Sequence, residues 1–108
     1  IILTEGLLDA RNFANAGKYP KAIECCEKHM KLYGPSEHAF FLLGLIYDEM
    51  QDSDNALKML KKTVYLNPDH IDALILLSLI YKKLGDSVNH ANFDRRVQRV
   101  QARQNGKK

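Results

Sequence analysis

Four histidines, two adjacent cysteines and several paired acids are the side chains of this sequence best equipped for chemistry. Cys25 and His29 stand four apart, so on a helix they share a face and supply half a metal site. A closed site needs a second Cys/His pair at ligand spacing, and none follows. Structural cysteines beside a surface histidine account for the pair. His38, His70 and His90 fall near expected helix starts, where imidazoles cap or solvate more often than they catalyse. Asp48 with Glu49, and Asp52 with Asp54, read as solvated turns and caps. No Gly-rich phosphate loop and no nucleophile elbow occurs. Neighbouring cysteines on a helix diverge, so Cys25 and Cys26 are expected as free thiols in a reducing, cytoplasmic setting. The chain by itself is expected to be non-enzymatic, with no metal, no cofactor and no small-molecule substrate.

The elements that carry these residues are bounded by composition. A chain of 108 residues, 45% hydrophobic and 27% charged, can bury a core without disulfides or a metal, and wholesale disorder is excluded. The net charge of +3 is too small to imply nucleic acid by itself. The longest apolar runs, Ala39–Tyr47 and Ala73–Tyr81, are broken by Gly44 and Ser78. Both fall far short of the roughly 20 residues of a membrane span, so no membrane insertion is expected. No basic region precedes the apolar start Ile1-Ile2-Leu3, as a signal peptide would require. A start without methionine reads as a domain taken from a longer protein.

An internal repeat decides the fold. Ala39-Phe40-Phe41-Leu42-Leu43-Gly44-Leu45-Ile46-Tyr47 aligns with Ala73-Leu74-Ile75-Leu76-Leu77-Ser78-Leu79-Ile80-Tyr81 at an offset of 34. The same step backwards sets Ala10 under Gly44, Phe13 under Tyr47 and Ala22 under Ala56, while Gly17 and Gly85 fall two periods apart. Three units follow, about 3–36, 37–70 and 71–104, in a single domain over residues 1–104 with 105–108 as a disordered basic tail. Helices are predicted over about 3–16, 19–33, 37–50, 53–66, 70–84 and 87–103. Ala10, Gly44 and Ser78 recur where paired helices approach closely. Gly17 and Gly85 suit left-handed helix ends. Ser36, Ser53, Asp69 and Ser87 are the expected N-caps, and Pro68 after Asn67 breaks the helix between the second and third units.

The middle unit resembles the tetratricopeptide repeat family. Phe40, Leu43, Gly44 and Tyr47 stand at the Trp, Leu, Gly and Tyr positions of its first helix. Ala56, Leu60 and Pro68 stand at the Ala, Phe and Pro positions of its second. The first unit keeps Ala10, Phe13, Gly17, Ala22 and Cys26. The third keeps Leu74, Leu77, Tyr81 and Gly85, then departs: His90 takes the small-residue position and Ala91 lies one place late. The resemblance implies an all-α fold of three helix-turn-helix hairpins (six helices) stacked as a short right-handed α-solenoid, the last helix capping it.

It also implies a module that binds a protein or peptide along a concave face lined by the first helix of each hairpin. The groove positions would be Thr4, Leu7, Arg11 and Asn15, then His38, Phe41, Leu45, Asp48 and Glu49, then Asp72, Ile75, Leu79, Lys82 and Lys83. Phe41, Leu45, Ile75 and Leu79 would hold apolar anchors, flanked by the charges of Asp48, Glu49, Lys82 and Lys83. The alternative is that these four apolar residues are inter-helix core. Family members that grip a C-terminal carboxylate use asparagines at positions that here read Leu8, Leu42 and Leu76, which argues against such a clamp.

The last helix carries Phe93, Val97 and Val100 on one stripe and Arg95, Arg96, Arg99, Arg103, Lys107 and Lys108 elsewhere. A polar terminal helix serves solubility. The sharper alternative is an electrostatic surface for an acidic partner. Nucleic acid is disfavoured, since no aromatic residues interleave with the arginines. Homo-oligomerisation through the end faces, or a generic scaffold role, is a further alternative.

A narrower resemblance rests on the run Thr63-Val64-Tyr65-Leu66-Asn67-Pro68-Asp69-His70-Ile71-Asp72-Ala73-Leu74. Gly34-Pro35-Ser36, Leu43-Gly44-Leu45, Gly85-Asp86 and the arginine-rich helix support it. Together they are similar to the C-terminal repeat module of bacterial chemotaxis-receptor methyltransferases of the CheR type. That likeness implies a parent enzyme using S-adenosylmethionine to methylate receptor glutamates, in signal transduction. This module would target or regulate the enzyme, and none of the catalytic residues map to it.

Overall fold

The computed structural model describes residues 5–106. Six helices run through them: α1 (Glu5–Asn15), α2 (Tyr19–Tyr33), α3 (Glu37–Glu49), α4 (Ser53–Leu66), α5 (Ile71–Lys83) and α6 (Ser87–Asn105), and no strand occurs among the described residues. Consecutive helices pair as hairpins α1/α2, α3/α4 and α5/α6, and each hairpin stacks on the next through α2 against α3 and α4 against α5. The expected tail lies partly in this frame, because α6 continues to Asn105 and ends at Gly106. Residues 107 and 108 lie outside the described residues.

The 34-residue period is visible in the backbone. After the first helix of each hairpin the chain turns through Gly17, Gln51 and Gly85, with φ of 75°, 61° and 79°. In each turn the following N–H reaches five residues back, Lys18 to Phe13 at 2.8 Å, Asp52 to Tyr47 at 2.9 Å and Asp86 to Tyr81 at 2.9 Å. These bonds satisfy carbonyls that the helix end would otherwise orphan.

The helix starts correct part of the sequence-based expectation. Ser36 caps α3, its hydroxyl accepting from the Ala39 N–H at 3.2 Å. At α4 and α6 the caps are Asp52 and Asp86 rather than Ser53 and Ser87. Each aspartate accepts from the backbone N–H of Asn55 or Asn89 and from its side-chain amide as well. The bonds from the Asn89 side chain and backbone hold the Asp86 carboxyl below its usual range. At α5 the cap is His70 rather than Asp69, with Nδ1 accepting from the Ala73 N–H at 3.1 Å. Acceptance there puts the imidazole proton on Nε2.

Two apolar clusters form the core. Leu7, Ala10, Ala22, Cys26, Ala39, Leu43 and Ile46 join the first and second hairpins. Ala56, Leu60, Val64, Leu74, Leu77, Ile80, Tyr81, Val97 and Val100 join the second and third. Tyr47 packs against both clusters. At Gly44 the helices of the middle hairpin are so close that a Cβ would lie 2.6 Å from Leu60 Cδ2. In the third hairpin Ser78 takes the place of Gly44, and His90 the place of Ala56. The Ser78 hydroxyl lies 2.9 Å from His90 Nδ1, which also lies 3.0 Å from the Ser78 carbonyl oxygen. A polar lock therefore replaces the small-residue contact there.

The two outer faces of the stack differ from its joints. Ala39, Leu43 and Ile46 of α3, like Ala73, Leu77 and Ile80 of α5, are buried in these clusters. Their counterparts on α1 are the exposed Glu5, Asp9 and Asn12. On α4, Leu57, Leu60 and Val64 pack in the cluster shared with α5. Their counterparts on α6 are Ala91, Asp94 and Gln98, and Gln98 donates to the Asp94 carboxylate at 3.1 Å.

Candidate binding groove

Residues one period apart place their side chains in rows across the first helices. One row is Leu7, Phe41 and Ile75. The next is Arg11, Leu45 and Leu79, and beyond it lie Asn15, Glu49 and Lys83. Thr4, expected in the row of His38 and Asp72, lies outside the described residues. The apolar rows divide by burial. Leu7 is buried, and Phe41 and Ile75 are half-buried against the core, while Leu45 is 37% and Leu79 54% exposed. Phe41 is held from behind by the His70 ring, 4.6 Å between centroids.

A cleft of about 650 Å³ opens between α1 and α3. Its apolar lining comes from Leu7, Phe41, Leu42, Leu45 and Ile46, and Arg11, Asn15, His38 and Glu49 set polar groups around it. Of the sequence-predicted site residues, this cleft brings together Arg11, Phe41, Leu45 and Glu49. It does not take in Asp48, Ile75, Leu79, Lys82 or Lys83. Asp48 and Lys83 instead face each other, Oδ1 to Nζ at 3.6 Å, bridging α3 to α5. Tyr19 also lines the cleft. Sequence reasoning missed it by drawing the groove from first helices only, although an aromatic at the first position of α2 beside the Gly17 turn was a usable signal.

Of the side chains best equipped for chemistry, His38 and Glu49 line this cleft, while His29, the two cysteines and the Ser78–His90 pair lie away from it. His29 is buried at 8% exposure, correcting its expected place on the surface, and its ring lies 5.0 Å from that of Tyr33. Its counterparts in the other hairpins, Thr63 and Val97, are core residues too. Burial pushes the Cys26 thiol up to about 12, and burial raises Cys25 as well, so neither is poised as a thiolate. Tyr47 is likewise raised, first by burial. Ser78 and His90 have the separation of a nucleophile and its base, but Ser78 is only 4% exposed and its hydroxyl also faces the His90 carbonyl at 3.4 Å. Among the described residues no group of three or more His, Cys, Asp or Glu is arranged to hold a metal ion, and no helix is long and apolar enough to cross a membrane. What the arrangement offers is a surface with exposed apolar side chains inside a charged rim, suited to recognition.

Comparison with known proteins agrees with this geometry. Residues 37–70 match the family model of the tetratricopeptide repeat. The chain is 31% identical over 97 residues to the probable biofilm formation methyltransferase WspC of Pseudomonas putida. It is 36% identical over 87 residues to the protein of the same name in Pseudomonas aeruginosa. These alignments take in 90% and 81% of this chain but only 23% and 20% of the relatives' lengths. Two crystal structures of MamA superpose with a TM-score of 0.80 at 22% identity, covering 88% and 90% of this chain and 56% and 53% of theirs, a likeness of fold. The middle unit matches the tetratricopeptide repeat model directly, and the three in-phase hairpins with their shared turn geometry give the chain a tetratricopeptide-type fold.

Proposed function

We propose that this domain holds a segment of a partner protein along the first-helix face and so targets or regulates a chemotaxis-type glutamate methyltransferase in the cytoplasm. The observation that carries the reading is the row Arg11, Leu45 and Leu79 beside the α1–α3 cleft. There, leucines that a closed core would bury stand exposed inside a charged rim. Phe41 and Ile75 form the half-buried floor behind them, and Glu49, Asp48, Lys82 and Lys83 supply the polar edge. The Asp48–Lys83 pair is exposed enough to be worth under about 1 kcal/mol and can open to a charged ligand. The methyltransferase part of the reading is supported by the relatives' names and by the small share of their length that this chain spans. Catalysis would then belong to the remainder of such a protein.

The test is calorimetric titration of the chain with cytoplasmic fragments of the chemoreceptors from the same genome. Leu45→Glu and Leu79→Glu should each lower affinity at least about tenfold, as loss of an anchor in a binding pocket does. Their helical circular dichroism should be unchanged, since both side chains are exposed. Native-like affinity in both variants would remove the groove from the function.

A further inference from the structure

The polarity of α6 has two parts, and only one follows from its place at the end of the stack. Counterparts one period earlier separate them. On α4, Leu57, Leu60 and Val64 pack in the core shared with α5, and Lys61 lies over the Tyr81 ring at 5.5 Å. Their α6 counterparts Ala91, Asp94, Arg95 and Gln98 therefore make the outer end face polar. Arg96 and Arg99 correspond instead to Lys62 and Tyr65, which do not face the next hairpin. Lys62 lies over Phe40 of its own hairpin at 5.4 Å, and Tyr65 is 86% exposed. Covering the end of the stack does not require arginines at 96 and 99.

Arg96, Arg99 and Arg103 follow the i, i+3, i+7 spacing of one helix face, a stripe about 10 Å long. With Pro68, Asp69 and Val100 they line a cleft of about 580 Å³ between α6 and the α4–α5 loop. Two of the guanidiniums are already oriented. Arg96 lies 5.4 Å from the Phe93 ring centroid, and Arg103 donates to the Asp69 carboxylate at 2.7 Å. The chain's own aspartate thus shows the cleft accepting a carboxylate in hydrogen-bonded geometry. Arg99, between them, makes no ion pair among the described residues.

We propose that this cleft docks an acidic segment of a partner protein, carrying Asp or Glu side chains about one helical turn apart and a small apolar residue over Pro68 and Val100. Charge complementarity fixes the class of ligand: two guanidiniums free of carboxylates beside one that already holds one. The apolar floor, a lining without aromatic rings and the short basic track favour protein over nucleic acid, which uses stacking platforms and longer phosphate tracks. The surface is separate from the α1–α3 groove and does not depend on how that groove is used.

Fluorescence anisotropy tests it with the full chain and a labelled helical peptide of Glu, Ala and Leu, with Glu at i, i+3 and i+7. A Gln-for-Glu peptide and oligo(dT) serve as comparisons. The Glu peptide should bind, the Gln peptide should not, and binding should weaken steeply with salt. Arg99→Gln should lower affinity about fivefold and Arg96→Gln/Arg99→Gln further, with circular dichroism unchanged. Leu45→Ser, in the other groove, should leave binding intact. The proposal is overturned by absent binding of the Glu peptide, by equal binding of the Gln peptide, by affinity unchanged in the double variant, or by tighter binding of oligo(dT).

Discussion

Gly44 and Cys26 illustrate how single positions carry the packing. A methyl group at 44 would meet the side chain of Leu60, which is itself fully buried and has no room to retreat. Gly44→Ala should therefore destabilise the fold by about 1–3 kcal/mol, the usual cost of overpacking, read as a lower urea midpoint. The Cys26 thiol is held neutral by burial from its ordinary 9.0 up to about 12. An unfolded chain ionises it from about 9.0 upward, so its contribution is complete below that pH and is lost as pH rises toward 12. Cys26→Ala should flatten the alkaline fall in stability, although the lost sulfur lowers stability at neutral pH. The importance of Gly44 was legible from the period alone. The burial of His29 was not read from its own surroundings in sequence, because the wall around it comes from Tyr33 and the packed hairpin, yet its register with Thr63 and Val97 carried the information.

Among the elements, the most legible were the helices, whose order and turns follow from the apolar period and the glycines. The caps were less so. Serine and aspartate stand side by side at 52–53 and 86–87, and either can cap by type. The aspartates prevail because they lie one place earlier, at the residue whose carbonyl accepts the first helical bond, and because an asparagine three residues on bonds the second carboxylate oxygen. His70 was hidden by the adjacent Asp69, whose carboxylate instead meets Arg103. The middle turn falls where the predicted helix bounds put it, but its left-handed residue went unread, since Gln51 occupies a position where its counterparts are Gly17 and Gly85. Gln51→Gly should relieve that strain and stabilise the domain by about 0.5–1 kcal/mol, after the entropy a glycine loses on folding. Thermal denaturation of the two proteins side by side checks it.

For the molecule as a whole, the sequence conveyed the hairpin stack and the residue rows of the first helices, but not how burial divides those rows. Burial separated Phe41 and Ile75 from Leu45 and Leu79, and it depends on how far each hairpin rotates against the next, which no local pattern encodes. The polar outer faces argue for a chain that does not associate end to end. Light scattering should give the mass of one chain at every concentration, and a mass rising with concentration would point to self-association.

Those outer faces also fix the order of the hairpins. Moved to the interior, the first unit would bury Glu5, Asp9 and Asn12 against a neighbour, and the third would bury Asp94 and Gln98. Only the middle unit is apolar on both sides. A gene that lengthened this domain by duplication could therefore copy its second hairpin in tandem and still fold, whereas shuffling the other two would leave charge in the joints.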